Sequence, residues 1–369
     1  MSVMEKFEKF QIAFNKPSPT YLAGETVYGY GWLVLKEAVY VQSICLEAIG
    51  EAKVEWMTSS DIQASDEEVF NYTTVLPIKG EKQIDDEGLL HAGSHYFPFE
   101  FKLPPHLPSS FKGKHGRLRY FVRLSVYSHG IFSQGTPQTE RTSKFAVLGA
   151  LDLTKEPDAA IPVENDTFEA VGSLCCFAGT VTALLRLERK GYVIREAIPV
   201  WAEVRNLSAR RIVHTQVSLI QNVTYYSYRG RFSECRVLVT VHKGGVAPRG
   251  KQTWNWEPLS IPSVTPSHLR GCKIIDIQYS IELRIKPAGL ARSIKLPVDV
   301  VIGTSPHGEC QHKVTCHPLL APDEDDGTGI FPFPFFASSS SDMVLLSDMT
   351  FHNMVPTAPP WEGDDDEIP

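Results

Sequence analysis

The chain has 369 residues, of which 43% are hydrophobic and 21% charged, with a formal net charge of −7. That is the composition of a folded globular chain with room for two or three domains. Its acidic balance, without an aromatic-plus-basic platform, argues against nucleic-acid binding. No run approaches the roughly 18 apolar residues that span a bilayer, and the opening MSVMEKFEKFQIAF lacks the continuous apolar core of a signal peptide, so a cytoplasmic chain is expected. Seven cysteines, an odd number without framework spacing, read as thiols of a reducing compartment.

No sustained helical period stands out, whereas short alternating runs punctuated by Pro and Gly recur throughout, so an all-β chain of sandwiches is expected. The first strand alternates Phe10, Ile12 and Phe14, and Tyr21 to Leu35 and Val39 to Trp56 follow as strands. Residues 58–69 are polar and acidic and read as a loop before a strand from Tyr72 to Leu76. Phe97, Phe99, Phe101 and Leu103 then alternate with Pro98, Glu100 and Lys102, which places four apolar side chains on one strand face. Leu103-Pro104-Pro105 ends that strand, because proline brings no amide hydrogen to a ladder. His106 to Phe111 is a crossing, and a turn with Gly113 and Gly116 leads to a second strand with Tyr120, Val122, Leu124 and Val126 inward and Phe121, Arg123 and Ser125 outward. A strand from Lys144 to Leu148 closes this unit.

The second half repeats the order. Ile261-Pro262 answers Leu103-Pro104, Pro266-Ser267 answers Pro108-Ser109, and Ile275, Ile277, Tyr279, Ile281, Leu283 and Ile285 form the clearest period-two strand of the chain. Upstream, Tyr21-Leu-Ala-Gly-Glu25 parallels Tyr192-Val-Ile-Arg-Glu196. Two motifs in the same order, about 160–170 residues apart, indicate a duplicated domain. The expected organisation is a sandwich over 5–149, a polar linker over 150–167, a second sandwich over 168–317 and a tail over 318–369. From Leu319 onward the chain carries eleven acidic residues and no Lys or Arg, so the tail is −11 and the body +4. Low-complexity, acidic sequence of this kind is expected to be disordered.

Tyr21-x-Ala-Gly-Glu-x-Val27, Phe97-Pro-Phe-x-Phe101-x-Leu-Pro104, Leu107-Pro-Ser-Ser110 and Arg119-Tyr120 together resemble the amino-terminal arrestin-like domain. Cys175-Cys176, Gly179, Gly191-Tyr192-Val193, Glu196, Asn206-x-Ser208, Ile261-Pro262, Tyr279 and Ile302-Gly303-Thr304 resemble the carboxy-terminal one. The likeness covers roughly residues 5–317 and is to the α-arrestins, or arrestin domain-containing proteins. It implies two tandem immunoglobulin-type β-sandwiches joined by a short hinge. It also implies a non-catalytic cytoplasmic adaptor, peripheral at plasma membrane and endosomes, that binds cytoplasmic segments of membrane receptors or transporters and directs their endocytosis, endosomal sorting or ubiquitin-dependent trafficking. Many family members recruit HECT-type ubiquitin ligases through Pro-Pro-x-Tyr, but the nearest stretch here is Pro359-Pro360-Trp361-Glu362, which lacks the ring a WW groove takes. The turn glycine matching Gly24 is replaced by Arg195, which suggests a turn without positive φ.

The candidate partner-binding residues are Lys112, Lys114, His115, Arg117, Arg119 and Arg123, on the crossing and the strand after it. They suit an acidic or phosphorylated segment or an anionic lipid surface; the bland alternative is a solvated edge guarded by charge. Cys310, His312, Cys316 and His317 lie close together but in no common zinc spacing, and no metal or other cofactor is expected. No phosphate loop or nucleophile elbow occurs, so the chain is not expected to be an enzyme. Two other readings stay open: a retromer-type arrestin-like sorting subunit, and a carbohydrate- or small-ligand-binding sandwich using Trp254 or Trp256.

Overall fold

The computed structural model describes residues 6–59, 61–78, 89–127, 137–173 and 176–305. The first half comprises β1 (Phe7–Phe14), β2 (Thr20–Leu22), β3 (Thr26–Leu35), β4 (Val39–Tyr40), β5 (Ser43–Met57), β6 (Ile62–Leu76), β7 (Leu89–Leu90), β8 (Gly93–Lys102), β9 (Phe111–Lys112), β10 (Gly116–Tyr127) and β11 (Thr139–Leu148). The second comprises β12 (Val163–Ser173), β13 (Cys176–Leu187), β14 (Gly191–Val193), β15 (Ala197–Asn206), β16 (Ile212–Ser227), β17 (Gly230–Lys243), β18 (Lys251–Ser260), β19 (Ile275–Pro287) and β20 (Ile294–Gly303). Each half is a sandwich. One sheet runs β1-β3-β8 against β2-β11-β10-β5-β6; the other half sets β12-β13-β15-β18 against β14-β20-β19-β16-β17. The correspondence is strand for strand: the short parallel pairing of β2 with β11 recurs as β14 with β20, and β12 is an added edge.

The alternating stretch behaves as its period demands. Phe97, Phe99, Phe101 and Leu103 are buried, and their rings meet those of the facing sheet: Phe101 lies 6.1 Å from Phe145 and 5.5 Å from Tyr72. Small residues make room at the same level, since a Cβ on Gly31 would lie 2.5 Å from Leu124 and one on Gly50 2.5 Å from Tyr120. β8 and β10 are not a hairpin but belong to opposite sheets, so residues 103–110 cross the end of the sandwich. A crossing buries backbone groups that no ladder satisfies. Here the Tyr120 hydroxyl donates to the Pro108 carbonyl at 2.7 Å, and Ser110 Oγ accepts from the Val147 amide at 3.0 Å. The second half uses the same bonds: Tyr279 donates to Thr265 at 2.5 Å, and Ser267 Oγ accepts from the Ile302 amide at 2.8 Å. Burial drives both phenol pKa values far up, so both hydroxyls stay protonated donors.

The tyrosine–glutamate turns also repeat. In the first, Lys16 lies over the Tyr21 ring and pairs with Glu25, whose carboxylate accepts from the Leu22 amide at 2.8 Å. In the second, Arg189 lies over Tyr192 and pairs with Glu196, which accepts from the Val193 amide at 2.9 Å. The expectation that this turn avoids positive φ is wrong: Gly24 has φ 90°, and Arg195 has φ 69°. A left-handed arginine costs about 1–2 kcal/mol; the backbone bonds of the turn and a 3.1 Å bond from Arg195 Nε to Ser263 Oγ hold it there.

Two further expectations are corrected. The acidic 58–69 segment is no loop beyond residue 61: Ile62 onward is β6, paired with β5 through its whole length. As an edge strand it exposes every other side chain to water, so polar residues replace the apolar face that marks a central strand. Similarly, the stretch expected as linker contains a 3-10 turn at Leu153–Lys155 and is already strand from Val163. The acidic tail, Cys175 and the Cys310–His317 cluster lie outside the described residues.

Removing either crossing hydroxyl should leave a buried carbonyl without its donor, at a cost of about 1–3 kcal/mol. Tyr120→Phe and Tyr279→Phe should each lower the urea midpoint measurably, whereas Tyr228→Phe, at a position 98% exposed, should leave it unchanged.

Candidate partner-binding site

The six basic residues foreseen in the sequence do not form one patch. β10 lies between β11 and β5, and its register sets Arg119 opposite Glu51 and Arg123 opposite Glu47. Both arginines are consumed by these cross-strand pairs on the outer sheet face. Between them Phe121, though outward in the alternation, is buried: the two guanidinium groups lie 5.6 and 5.7 Å from its ring. Burial works to raise the Glu51 carboxyl, but hydrogen bonds from Arg119 and Lys53 and their charge outweigh it and hold it below the usual range. Arg119 and Arg123 thus brace the sheet.

His115 is also engaged. Its ring lies 4.8 Å from Phe232 and 5.9 Å from Tyr225 of the second sandwich, and Trp56 stands 6.1 Å from the same Phe232. Tyr225 donates to Glu234 at 2.6 Å, and burial together with that carboxylate raises its phenol strongly. Gly113 and Gly116 let the β9–β10 turn approach, since a Cβ on either would collide with the Tyr225 side chain. The seam between sandwiches continues through Arg229 to Asp61 at 2.9 Å, the Lys273 amide to Glu67 at 2.7 Å and Arg270 to Glu156 at 2.7 Å. Near its other end the Thr304 amide donates to the Leu151 carbonyl, and Thr304 Oγ1 accepts from the Leu151 amide, both at 2.9 Å.

That leaves Lys112, Lys114 and Arg117. All three are exposed and make no ion pair among the described residues. They line a groove of about 780 Å³ whose other wall is the β5–β6 hairpin, with Trp56, exposed Met57 and Ile62, and Asp66. Cations line one side, and the other sets Trp56, Met57 and Ile62 among the exposed charges of Lys53, Glu55 and Asp66. Register was the missing signal: the sequence shows six nearby cations but not which carboxylates stand opposite them. Phe232 and Tyr225, which pack against the groove residues His115 and Trp56 from the other sandwich, carried no sequence signal as part of a site.

Among the described residues, no three His, Cys, Asp or Glu side chains could hold a metal ion, and no helix is long and apolar enough to cross a membrane. The two tryptophans weighed as a ligand platform are separated by a bulge. Trp254 is core, its indole N–H bonded to Thr215 Oγ1 at 3.2 Å, while Trp256 is half exposed at φ 54°.

Comparison with known proteins agrees with this architecture. Residues 10–154 match the family described as Arrestin (or S-antigen), N-terminal domain, and residues 178–307 match Arrestin (or S-antigen), C-terminal domain. The chain is 34% identical to Arrestin domain-containing protein 4 of Homo sapiens over 297 residues, covering 78% of this chain and 69% of that protein. It is 30% identical to Arrestin domain-containing protein 17 of Caenorhabditis elegans over 82% of this chain and 72% of the relative. Against Arrestin domain-containing protein 1 of Mus musculus it is 25% identical over 97% of this chain and 80% of the relative. With both arrestin domains matched in order, and two sandwiches built on one repeated plan, the chain belongs to the α-arrestins, the arrestin domain-containing family of trafficking adaptors.

Proposed function

We propose that this α-arrestin is a non-catalytic cytoplasmic adaptor that captures cytoplasmic segments of membrane receptors or transporters and directs their endocytosis and endosomal sorting. The observation that carries the reading is the groove beside the seam, where Lys112, Lys114 and Arg117 make no ion pair among the described residues and stand opposite Trp56, Met57 and Ile62. Unpaired cations on a rigid turn meet carboxylates or phosphates through charge-assisted hydrogen bonds without first breaking an internal pair. The apolar wall adds area that a purely electrostatic contact lacks. Lys53, on the same wall, is bound to Glu51 at 3.2 Å and contributes less. In this reading the chain works at the cytoplasmic surface of plasma membrane and endosomes. Ligase recruitment through a WW domain is not part of it, because Pro359-Pro360-Trp361-Glu362 offers no tyrosine.

The structure divides the basic cluster into two classes with opposite expected behaviour. The triple reversal Lys112→Glu, Lys114→Glu and Arg117→Glu should abolish co-precipitation of a membrane cargo and leave the melting temperature within about 1 °C. Undiminished capture by that variant would contradict the reading. Arg119→Glu, by contrast, sets like charges opposite Glu51 and uncovers Phe121, and it should lower stability by about 1–2 kcal/mol.

A further inference from the structure

β17 is the outermost strand of its sheet, paired with β16 and, among the described residues, with no strand on its other side. Its hairpin with β16 has a two-residue loop, Tyr228-Arg229, closed by the pair Ser227 and Gly230. In such a hairpin the closing pair and every second residue exchange ladder bonds. Gly230, Phe232, Glu234 and Arg236 therefore face β16, while Arg231, Ser233 and Cys235 present amide and carbonyl groups to the open side. Edges left open to water are usually closed by a proline, an inward charge or a bulge. β17 contains no proline, its one register shift lies opposite Leu219 and Ile220, beyond this stretch, and its one inward charge here, Glu234, is held by the Tyr225 hydroxyl rather than left at the edge.

The same stretch adjoins the groove, because Phe232 touches His115 and Trp56, both of which line it. Around the junction Arg231, Arg236, Lys112, Lys114 and Arg117 are exposed cations without an ion pair among the described residues. Glu234 is already bonded to the Tyr225 hydroxyl, and of the groove's own charges the cations Lys53, Lys112, Lys114 and Arg117 outnumber the carboxylates Glu55 and Asp66. An open ladder edge beside five unpaired cations is complementary to one kind of partner.

We propose that the edge of β17 from Arg231 to Cys235 takes an extended acidic peptide segment as an added strand, which continues into the groove and meets Lys112, Lys114 and Arg117. The inference rests on the reading of the groove as the partner site and specifies how the partner is held. Backbone bonds to the open side of β17 supply register-tolerant affinity, and acidic side chains at alternate positions meet the cations. Partners would then share extended conformation and negative charge rather than one motif.

The test uses the full-length chain and a synthetic peptide of about twelve residues alternating Asp or Glu with Val or Thr, followed by fluorescence anisotropy. A second peptide carries N-methyl groups on alternate backbone nitrogens, so that it keeps its charge but cannot complete a ladder. Ser233→Pro removes an outward amide and the exposed Ser233 Oγ–Thr224 Oγ1 contact of 3.0 Å but no backbone bond to β16, a place where an edge strand tolerates proline. The proposal expects at least a tenfold loss of affinity from Ser233→Pro, from N-methylation and from the Lys112, Lys114 and Arg117 triple reversal, with slowed exchange of the Ser233 and Cys235 amides in the complex. If the triple reversal abolishes binding while Ser233→Pro and the N-methyl peptide bind as tightly as their parents, strand addition is overturned and the groove stands. If the triple reversal is silent, or no peptide binds, the groove reading fails and takes this proposal with it. Should Ser233→Pro lower the melting temperature, the N-methyl peptide on the native chain decides alone.

Discussion

Two buried tyrosine hydroxyls hold the chain where it passes from one sheet to the other. Leucine- or isoleucine-proline stops the incoming strand, since proline cannot extend a ladder, and the chain then has to cross an apolar end with its backbone groups unpaired. Tyr120 and Tyr279 reach back to the crossing carbonyls, and Ser110 and Ser267 tie the same segments to the last strand of each half. An unmade bond at such a place costs more than a made bond contributes elsewhere, so the device constrains the fold strongly. In the first half it also fixes where the β9–β10 turn emerges, and that turn carries Lys112, Lys114, His115 and Arg117.

The seam between the sandwiches follows from that placement. The turn arrives close enough to Tyr225 that only glycine fits at 113 and 116, and His115 seats against Phe232. Its ion pair Arg229–Asp61 is largely exposed and contributes at most about 1 kcal/mol. Packed rings and the backbone bonds between Leu151 and Thr304 do more to set the relation of the halves. The groove is made from both hairpin tips of the first sandwich, and two of its lining residues, Trp56 and His115, pack against Phe232 of the second.

The duplicated plan was legible because it is written in apolar period and proline: every alternating apolar position from Phe97 to Leu103 and from Ile275 to Ile285 is buried, although the polar Ser280 and Glu282 of β19 are buried with them. Edge strands were not. β6 and the start of β12 carry Ser, Asp, Glu and Asn on faces open to water, so composition suggested a loop and a linker where ladders exist. The arginine at 195 was misjudged for a different reason: a turn's φ is enforced by its bonds to Glu196 and the neighbouring strand, and a non-glycine residue is carried into the left-handed region by them. The basic cluster was found as residues but not as a site. Which of Lys112, Lys114, Arg117, Arg119 and Arg123 are available to a partner depends on cross-strand register, and no local pattern encodes it.

Arg119 and Arg123 are committed to cross-strand ion pairs, whereas Lys112, Lys114 and Arg117 make none among the described residues, and the proposed docking of a cytoplasmic segment rests on that difference. The most direct test is proximity labelling in living cells with the full-length chain. Capture by a trafficking adaptor predicts enrichment of endosomal proteins and of receptors or transporters among the labelled neighbours; a labelled set without either would contradict it.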